Sequence, residues 1–218
     1  MSALQEALER VDRAKRARAR TEDIKIVAAS KYANADQIAK LYSQEQLAFG
    51  ENKTQDFELK LTALKTLAIE WHFIGALQTN KINKLIALRP ALIHSIDSLK
   101  TAQAFNDRLL RANQTQRALL QINAAKEPTK SGVLPEKAID IYNEIVSTCL
   151  ALKLEGVMTI GAHTDDQKTI QNSFEITRKI YDQISNAKTI SMGMSGDFEL
   201  AIACGANMLR LGSILFKR

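Results

Sequence analysis

Long hydrophobic runs are missing from this chain of 218 residues. No apolar segment approaches the roughly 20 residues that a transmembrane helix needs, so the sequence predicts no contact with a membrane. The N-terminus is rich in arginine and glutamate and lacks the apolar core of a secretory signal. Both absences favour a cytoplasmic protein.

Cysteine, histidine and proline are scarce, with two, three and three residues respectively. Cys149 and Cys204 do not have metal-ligand spacing, and nothing indicates a disulfide scaffold. His94 and His163 form no metal pattern with His72. The Ser-His-Asp, nucleophile-elbow and HExxH motifs of hydrolases and zinc proteases are also missing. We therefore expect a reduced protein without a metal site.

Positive charge dominates the chain, whose formal net charge of +6 attracts anionic ligands. Much of that charge lies in residues 1–20, where Leu4, Leu8 and Val11 recur at helical spacing. The pattern predicts an amphipathic N-terminal helix over residues 1–20 with a solvated basic face. Binding of nucleic acid is the alternative, but it is not favoured because no aromatic residues are interleaved.

Apolar, β-branched runs alternate with helical patterns along the rest of the chain. We count eight of each, with no linker rich in proline or glycine and no sequence repeat. This alternation predicts an α/β protein, and eight units favour a single TIM-type (β/α)8 barrel over residues 24–216. An open doubly wound sheet is the alternative, although no GxGxxG turn follows the first strand. Residues 1–218 are expected to form one domain.

The first predicted strand, residues 24–31, ends on a lysine. Alternation places Val27, Ala29 and Lys31 on one face of that strand. If this face lines the barrel, Lys31 stands at the open C-terminal rim, where a partly desolvated amine can condense with an aldehyde. The alternative is an ordinary lysine at the end of a strand.

Glycine and serine cluster at the predicted ends of the seventh and eighth strands. Met194-Ser195-Gly196 lies at the end of the predicted seventh strand, residues 188–194, and Gly212-Ser213 lies in the predicted eighth strand, residues 207–216. Loops at these two positions often bind phosphate in such barrels, because backbone N–H groups face the ligand. Serine hydroxyls add further donors. The alternative is that Ser195 only caps the helix that follows.

Other polar residues interrupt or end apolar strands. Arg210 lies in an apolar run, where a guanidinium needs a ligand or a partner. An ion pair with a carboxylate inside the barrel is the alternative. His72 in the third strand is either a hydrogen-bonded barrel residue or an acid or base, and Asn52 ends the second strand.

Short motifs run in order through nearly the whole chain. The most specific are Trp71-His72-Phe73-Ile74-Gly75 and Ser191-Met192-Gly193-Met194-Ser195. The others are Ala29-Ser30-Lys31, Phe49-Gly50-Glu51-Asn52, Lys130-Ser131-Gly132, Gly156-Val157-Met158-Thr159 and Arg210-Leu211-Gly212. Together they resemble the pyridoxal phosphate homeostasis protein family, which is related to the barrel domain of alanine racemase.

The resemblance implies that Lys31 holds pyridoxal 5′-phosphate as a Schiff base. It also implies that Ser195, Gly212 and Ser213 hold the phosphate and that Asn52 lies beside the ring. Arg210 would face the pyridine nitrogen. The predicted cofactor site therefore consists of Lys31, Asn52, His72, Met194, Ser195, Arg210, Gly212 and Ser213.

The family's function implies intracellular homeostasis of the cofactor, by buffering or delivery to apo-enzymes, without robust catalysis or catalytic residues. A cation beside the pyridine nitrogen discourages its protonation and makes the ring a poorer electron sink. The alternative is a low-activity amino-acid racemase. Racemases of related architecture draw a catalytic tyrosine from an additional domain across a dimer interface. Because the chain ends just after the eighth strand, we expect no such domain, and we expect a monomer.

Overall fold

A computed structural model describes residues 1–216, so residues 217 and 218 of the predicted domain lie outside the described residues. Eight parallel strands form a closed barrel in which each strand pairs with its neighbours in sequence and the last pairs with the first. The strands are β1 (Lys25–Ala29), β2 (Ala48–Glu51), β3 (Glu70–Phe73), β4 (Leu92–Ile96), β5 (Gln116–Ile122), β6 (Leu152–Thr159), β7 (Thr189–Ser191) and β8 (Met208–Leu211). The prediction of a (β/α)8 barrel is confirmed.

Helices surround the barrel. They are α1 (Ala3–Arg16), α2 (Ala35–Tyr42), α3 (Thr54–Ala63), α4 (Ile82–Leu88), α5 (Leu99–Arg111), α6 (Ala138–Thr148), α7 (Gln167–Tyr181) and α8 (Phe198–Ala203). Short 3-10 turns, Thr79–Lys81 and Pro135–Lys137, precede α4 and α6. No helix within residues 1–216 is long and apolar enough to cross a membrane.

The extra N-terminal helix is confirmed, although α1 is shorter than the predicted residues 1–20. It begins at a capping box in which Ser2 accepts the backbone N–H of Gln5, and it ends before Ala17. Leu4 and Val11 are buried. Helix α1 packs against α8, so its apolar stripe joins the layer of helices around the barrel.

Two hydrophobic clusters follow from the alternation of side chains along the strands. The larger one lies between barrel and helices and contains the fully buried rings of Phe49, Phe57, Phe105, Phe174 and Phe198. The smaller one lies inside the barrel and consists of Val27, Ala48, Leu92, Leu119, Met158 and Met208. Buried polar side chains, among them His72 and His94, share the interior with it, which leaves the carboxyl ends of the strands as the place for a ligand.

The first and last strands end earlier than predicted. Strand β1 stops at Ala29, and the backbone N–H of Ala33 then donates to the carbonyl of Ser30 at 2.8 Å, which forms a turn. Lys31 therefore lies in this turn and not in the strand. Likewise β8 stops at Leu211, and a second turn begins at Gly212. Turns at both positions bring backbone donors to the carboxyl mouth of the barrel.

Candidate functional site

A cavity of about 750 Å³ opens at the carboxyl mouth of the barrel. Residues that follow six of the strands meet there, and we call this space the mouth cavity. It is lined by Ala29, Lys31, Tyr32, Ala33, Asn52, Ile74, Gly75, Ile160, Met194, Ser195, Gly196, Arg210, Gly212, Ser213 and Phe216. The structure thus brings all the predicted site residues together except His72.

Lys31 reaches the mouth cavity from the turn after β1. Its Nζ lies 4.9 Å from the centroid of the Tyr32 ring, and Tyr32 is 86% exposed. Lys31 is itself exposed. The expected partial desolvation of this amine is wrong, because the turn carries Lys31 beyond the end of the strand.

A buried ion pair supports the backbone next to Lys31. The Nζ of Lys60, on α3, donates to a Glu51 Oε1 atom at 2.6 Å and to the Ser30 carbonyl at 2.7 Å. The Ser30 hydroxyl donates to the same Glu51 oxygen at 2.5 Å. Glu51 is fully buried, and its second carboxylate oxygen has no partner among residues 1–216. The pair therefore anchors the first turn from the helix layer.

The loops after β2 and β3 touch closely beside the turn after β1. An added Cβ at Gly75 would lie 2.0 Å from the backbone oxygen of Asn52. Only glycine fits there, since the obstacle is backbone and not a flexible side chain. This close approach fixes Asn52 at the wall of the cavity.

The turns after β7 and β8 are joined by one side chain. The Gly212 N–H donates to the Ser195 Oγ at 3.1 Å. Because this oxygen accepts, the Ser195 hydroxyl hydrogen is free to point at a ligand. Ser195 is not the helix cap of the alternative interpretation, since Asp197 occupies that position before α8.

Backbone donors surround Ser195. Gly193 has φ of +96°, and an added Cβ there would lie 2.6 Å from the Cβ of Ala201. No hydrogen bond between described residues occupies the N–H groups of Gly196 or Ser213. These N–H groups and the Ser195 hydroxyl form a set of donors suited to an anion.

Arg210 forms the floor of the mouth cavity. Its Nη1 donates to the Ser191 Oγ at 2.7 Å, and its Nη2 donates to the Thr159 carbonyl at 2.8 Å. No ion pair joins Arg210 to a carboxylate within the described chain, so the ion-pair alternative is wrong. Burial lowers the pKa of Arg210 to about 10, while the charge of Asp197 opposes that shift. The guanidinium stays charged at neutral pH and offers its remaining N–H groups to the cavity.

His72 lies outside the set that lines the mouth cavity. It is 1% exposed inside the barrel, with its Nδ1 2.9 Å from the His94 Nε2 and its Nε2 3.1 Å from a Glu70 oxygen. Burial lowers its pKa, and Glu70 opposes that shift. The structure therefore agrees with the interpretation of His72 as a hydrogen-bonded residue inside the barrel, and it does not place His72 in the wall of the mouth cavity.

Sequence reasoning missed the partners that hold Arg210 and the apolar walls of the cavity. Ser191 and Thr159 end strands and hold the guanidinium, and Ile74 and Ile160 line the walls. Small polar residues at strand ends are common, so nothing in the sequence distinguishes these two. Their role emerges only when β6, β7 and β8 lie side by side.

The ion pair beneath Lys31 gives a testable prediction. Lys60→Met leaves the Glu51 carboxylate buried and unpaired, so we expect the free energy of unfolding to fall by about 3 kcal/mol. The side chains of Lys60 and Glu51 are 12% and 0% exposed. The measurement is urea denaturation followed by circular dichroism.

The matched control is Lys84→Met, because Lys84 pairs with Glu58 at 2.5 Å at exposures of 35% and 53%. Such a surface pair contributes less than about 1 kcal/mol. Equal losses in the two variants would contradict the anchoring role of the buried pair.

The chain matches known proteins over nearly its whole length. Residues 5–218 match the family model described as alanine racemase, N-terminal domain. A pyridoxal phosphate homeostasis protein of Helicobacter pylori is 54% identical over 208 residues, which cover 95% of this chain and 94% of that protein.

Solved structures agree with this match. A crystal structure of an unknown protein from Bifidobacterium adolescentis has a TM-score of 0.91 at 31% identity, covering 98% of this chain and 93% of the other. The structure of PipY from Synechococcus elongatus with PLP bound has a TM-score of 0.81 at 27% identity, covering 95% and 99%. The chain belongs to the pyridoxal phosphate homeostasis protein family, built on the alanine racemase N-terminal domain.

Proposed function

We propose that the mouth cavity binds pyridoxal 5′-phosphate and that Lys31 joins it as a Schiff base. When bound, this cofactor supplies an aldehyde that condenses with amines and a ring that withdraws electrons. One observation carries the proposal: a lysine amine, a set of anion donors and a buried guanidinium all open on one cavity. The similar PipY protein binds PLP.

The phosphate fits the donors between the seventh and eighth strands. Ser195 offers its hydroxyl hydrogen, since its oxygen already accepts the N–H of Gly212. The N–H groups of Gly196 and Ser213 add neutral donors. Met194 is 39% exposed beside them and covers one edge of the site. We assign these residues to the phosphate end and Lys31 to the aldehyde end.

The ring fits between these ends, with Asn52 at one wall and Arg210 at the floor. Arg210 carries only donors, so it can hydrogen-bond an unprotonated pyridine nitrogen but not a protonated one. An unprotonated nitrogen makes the ring a poorer electron sink, which disfavours carbanion chemistry. The site therefore suits holding the cofactor better than transforming a substrate.

We infer a function in cofactor homeostasis, by buffering the reactive aldehyde or delivering it to apo-enzymes. Lys31 and Tyr32 are exposed at the mouth, so an amine of another molecule would have access to the aldehyde carbon. That amine would take the place of the Lys31 amine there, which frees Lys31 and releases the cofactor from the chain. The chain would act as a monomer of one domain. Both buffering and delivery require an open site and a reversible covalent bond between Lys31 and the cofactor.

A low-activity amino-acid racemase is the second candidate. Racemisation needs acid–base groups on opposite faces of one carbon. The amine and the phenol that line the cavity belong to neighbours in one turn, Lys31 and Tyr32. Chiral analysis of alanine incubated with the holo-protein should show no inversion beyond that of free cofactor, whereas faster inversion would establish the racemase.

Covalent attachment gives the central test of the proposal. Borohydride reduction of protein mixed with pyridoxal 5′-phosphate should fix one cofactor on Lys31, as read by peptide mass spectrometry. Lys31→Ala should lose both the adduct and the yellow colour, because the reacting amine is gone. An adduct of equal yield in Lys31→Ala would overturn the assignment.

Lys53→Ala is the matched control for that experiment. Lys53 precedes α3 at the end of the next strand and does not line the mouth cavity. In the Lys53→Ala variant, borohydride should fix the cofactor on Lys31 as efficiently as in the native protein.

The phosphate assignment gives a separate prediction. Ser195→Ala removes a hydroxyl donor to an anion, so we expect roughly tenfold weaker binding of pyridoxal 5′-phosphate. Binding of pyridoxal, which lacks the phosphate, should not change. Equal losses for both ligands, measured by fluorescence titration, would place the phosphate elsewhere.

A further inference from the structure

Arg210 lies at one end of a hydrogen-bonded series that crosses the barrel. Its Nη1 lies 2.7 Å from the Ser191 Oγ, which is 3.2 Å from the His94 Nδ1. The His94 Nε2 is 2.9 Å from the His72 Nδ1, and the His72 Nε2 is 3.1 Å from a Glu70 oxygen. We call Ser191, His94, His72 and Glu70 the barrel chain. It runs from the floor of the mouth cavity to the first residue of β3, at the opposite mouth.

The barrel chain is buried except at its far end. Ser191 and His94 are fully buried, and His72 is 1% exposed. The Glu70 side chain is 33% exposed and also pairs with Lys25 at 2.5 Å. A change at Glu70 can therefore be made near the surface, far from the cofactor and from the core.

Protonation fixes the direction of every bond in the barrel chain. The hydrogen bond from His72, together with Lys25, lowers the pKa of Glu70 to about 2, so the carboxylate only accepts. Burial lowers the pKa of both imidazoles, that of His94 well below its usual value. A neutral imidazole has one donor and one acceptor nitrogen.

The tautomers then follow in sequence from the carboxylate. Because Glu70 accepts, the His72 Nε2 carries the proton and its Nδ1 accepts. The His94 Nε2 must then donate to that Nδ1, which leaves the His94 Nδ1 to accept from the Ser191 hydroxyl. The Ser191 oxygen is left to accept from Arg210. All donors point from Arg210 toward Glu70.

A proton cannot travel to the cofactor along this series. Arg210 stays charged at neutral pH and has no acceptor site, so it closes the series to proton transfer. What the series does supply is an oriented acceptor for Nη1. Without the Ser191 acceptor, only Nη2 of Arg210 would be held, by the Thr159 carbonyl, and the guanidinium would be free to rotate about that single hydrogen bond.

We propose that the barrel chain positions Arg210 toward the bound cofactor, with Glu70 setting the direction of its hydrogen bonds from the opposite mouth. This inference rests on the proposed function for the cofactor itself. It assigns His72 a positioning function in place of the direct contact predicted from the sequence. Ser191 and His94 join it as positioning residues.

The first arm of the test needs no cofactor. In ¹⁵N NMR spectra of the apo-protein at neutral pH, His72 and His94 should both be neutral with the proton on Nε2. Glu70→Gln should yield a mixture of tautomers in both rings, because an amide either accepts from or donates to His72. A single unchanged tautomer in Glu70→Gln, or a proton on His94 Nδ1 in the native protein, would overturn the inference.

Glu155→Gln is the matched control. Glu155 pairs with Arg117 at 2.6 Å near the mouth of the barrel where Glu70 lies. Glu155→Gln therefore removes the same negative charge as Glu70→Gln but leaves the hydrogen bonds of the barrel chain in place. Both rings should keep the Nε2 proton in this variant. Mixed tautomers there would show that net charge, and not the hydrogen bond, sets the direction.

The second arm uses the loaded protein. Ser191→Ala removes the acceptor for Arg210 Nη1, so we expect about tenfold weaker cofactor binding and a shifted absorbance band of the bound cofactor. Borohydride should still fix the cofactor on Lys31. If Ser191→Ala leaves both the affinity and the absorbance band unchanged, the positioning inference is overturned while the proposed function stands. If the native protein forms no Lys31 adduct, the proposed function is overturned, and the NMR experiment alone then decides on the barrel chain.

Discussion

A guanidinium buried without a carboxylate is the constraint on which the rest of the site depends. Removing such a charge from water is costly unless hydrogen bonds replace the lost solvation. Arg210 meets this requirement with neutral acceptors, the Ser191 hydroxyl and the Thr159 carbonyl. Because neither acceptor carries a full negative charge, the positive charge of Arg210 remains available to whatever enters the mouth cavity.

This arrangement connects the fold with the proposed function. The closed barrel places the ends of β6, β7 and β8 side by side, so Arg210 and the anion donors face one space. The smaller hydrophobic cluster lies in the barrel below that space, beside the buried imidazoles of His72 and His94. The buried pair of Glu51 and Lys60 anchors the turn that carries Lys31. A rigid floor and an exposed amine suit a protein that holds a reactive aldehyde reversibly.

The fold was predictable because eight alternating units leave few topologies, and the strand ends of a barrel meet at one mouth. Most of the candidate site followed from this rule, since Lys31, Ser195, Arg210 and Gly212 lie at strand ends. The exposure of Lys31 was not predictable, because it depends on where β1 gives way to a turn. His72 does not line the mouth cavity, because it forms hydrogen bonds with His94 on β4 and with Glu70, two residues earlier on β3. The sequence alone does not show that these three side chains meet.

A crystal structure of the protein grown with pyridoxal 5′-phosphate would show whether Lys31 and Arg210 hold the two sides of the cofactor in the mouth cavity. We expect density continuous with the Lys31 Nζ, a phosphate on the N–H groups of Gly196 and Ser213, and a ring nitrogen within hydrogen-bond distance of Arg210. Cofactor bound away from the mouth cavity, or a ring nitrogen turned away from Arg210, would contradict this expectation.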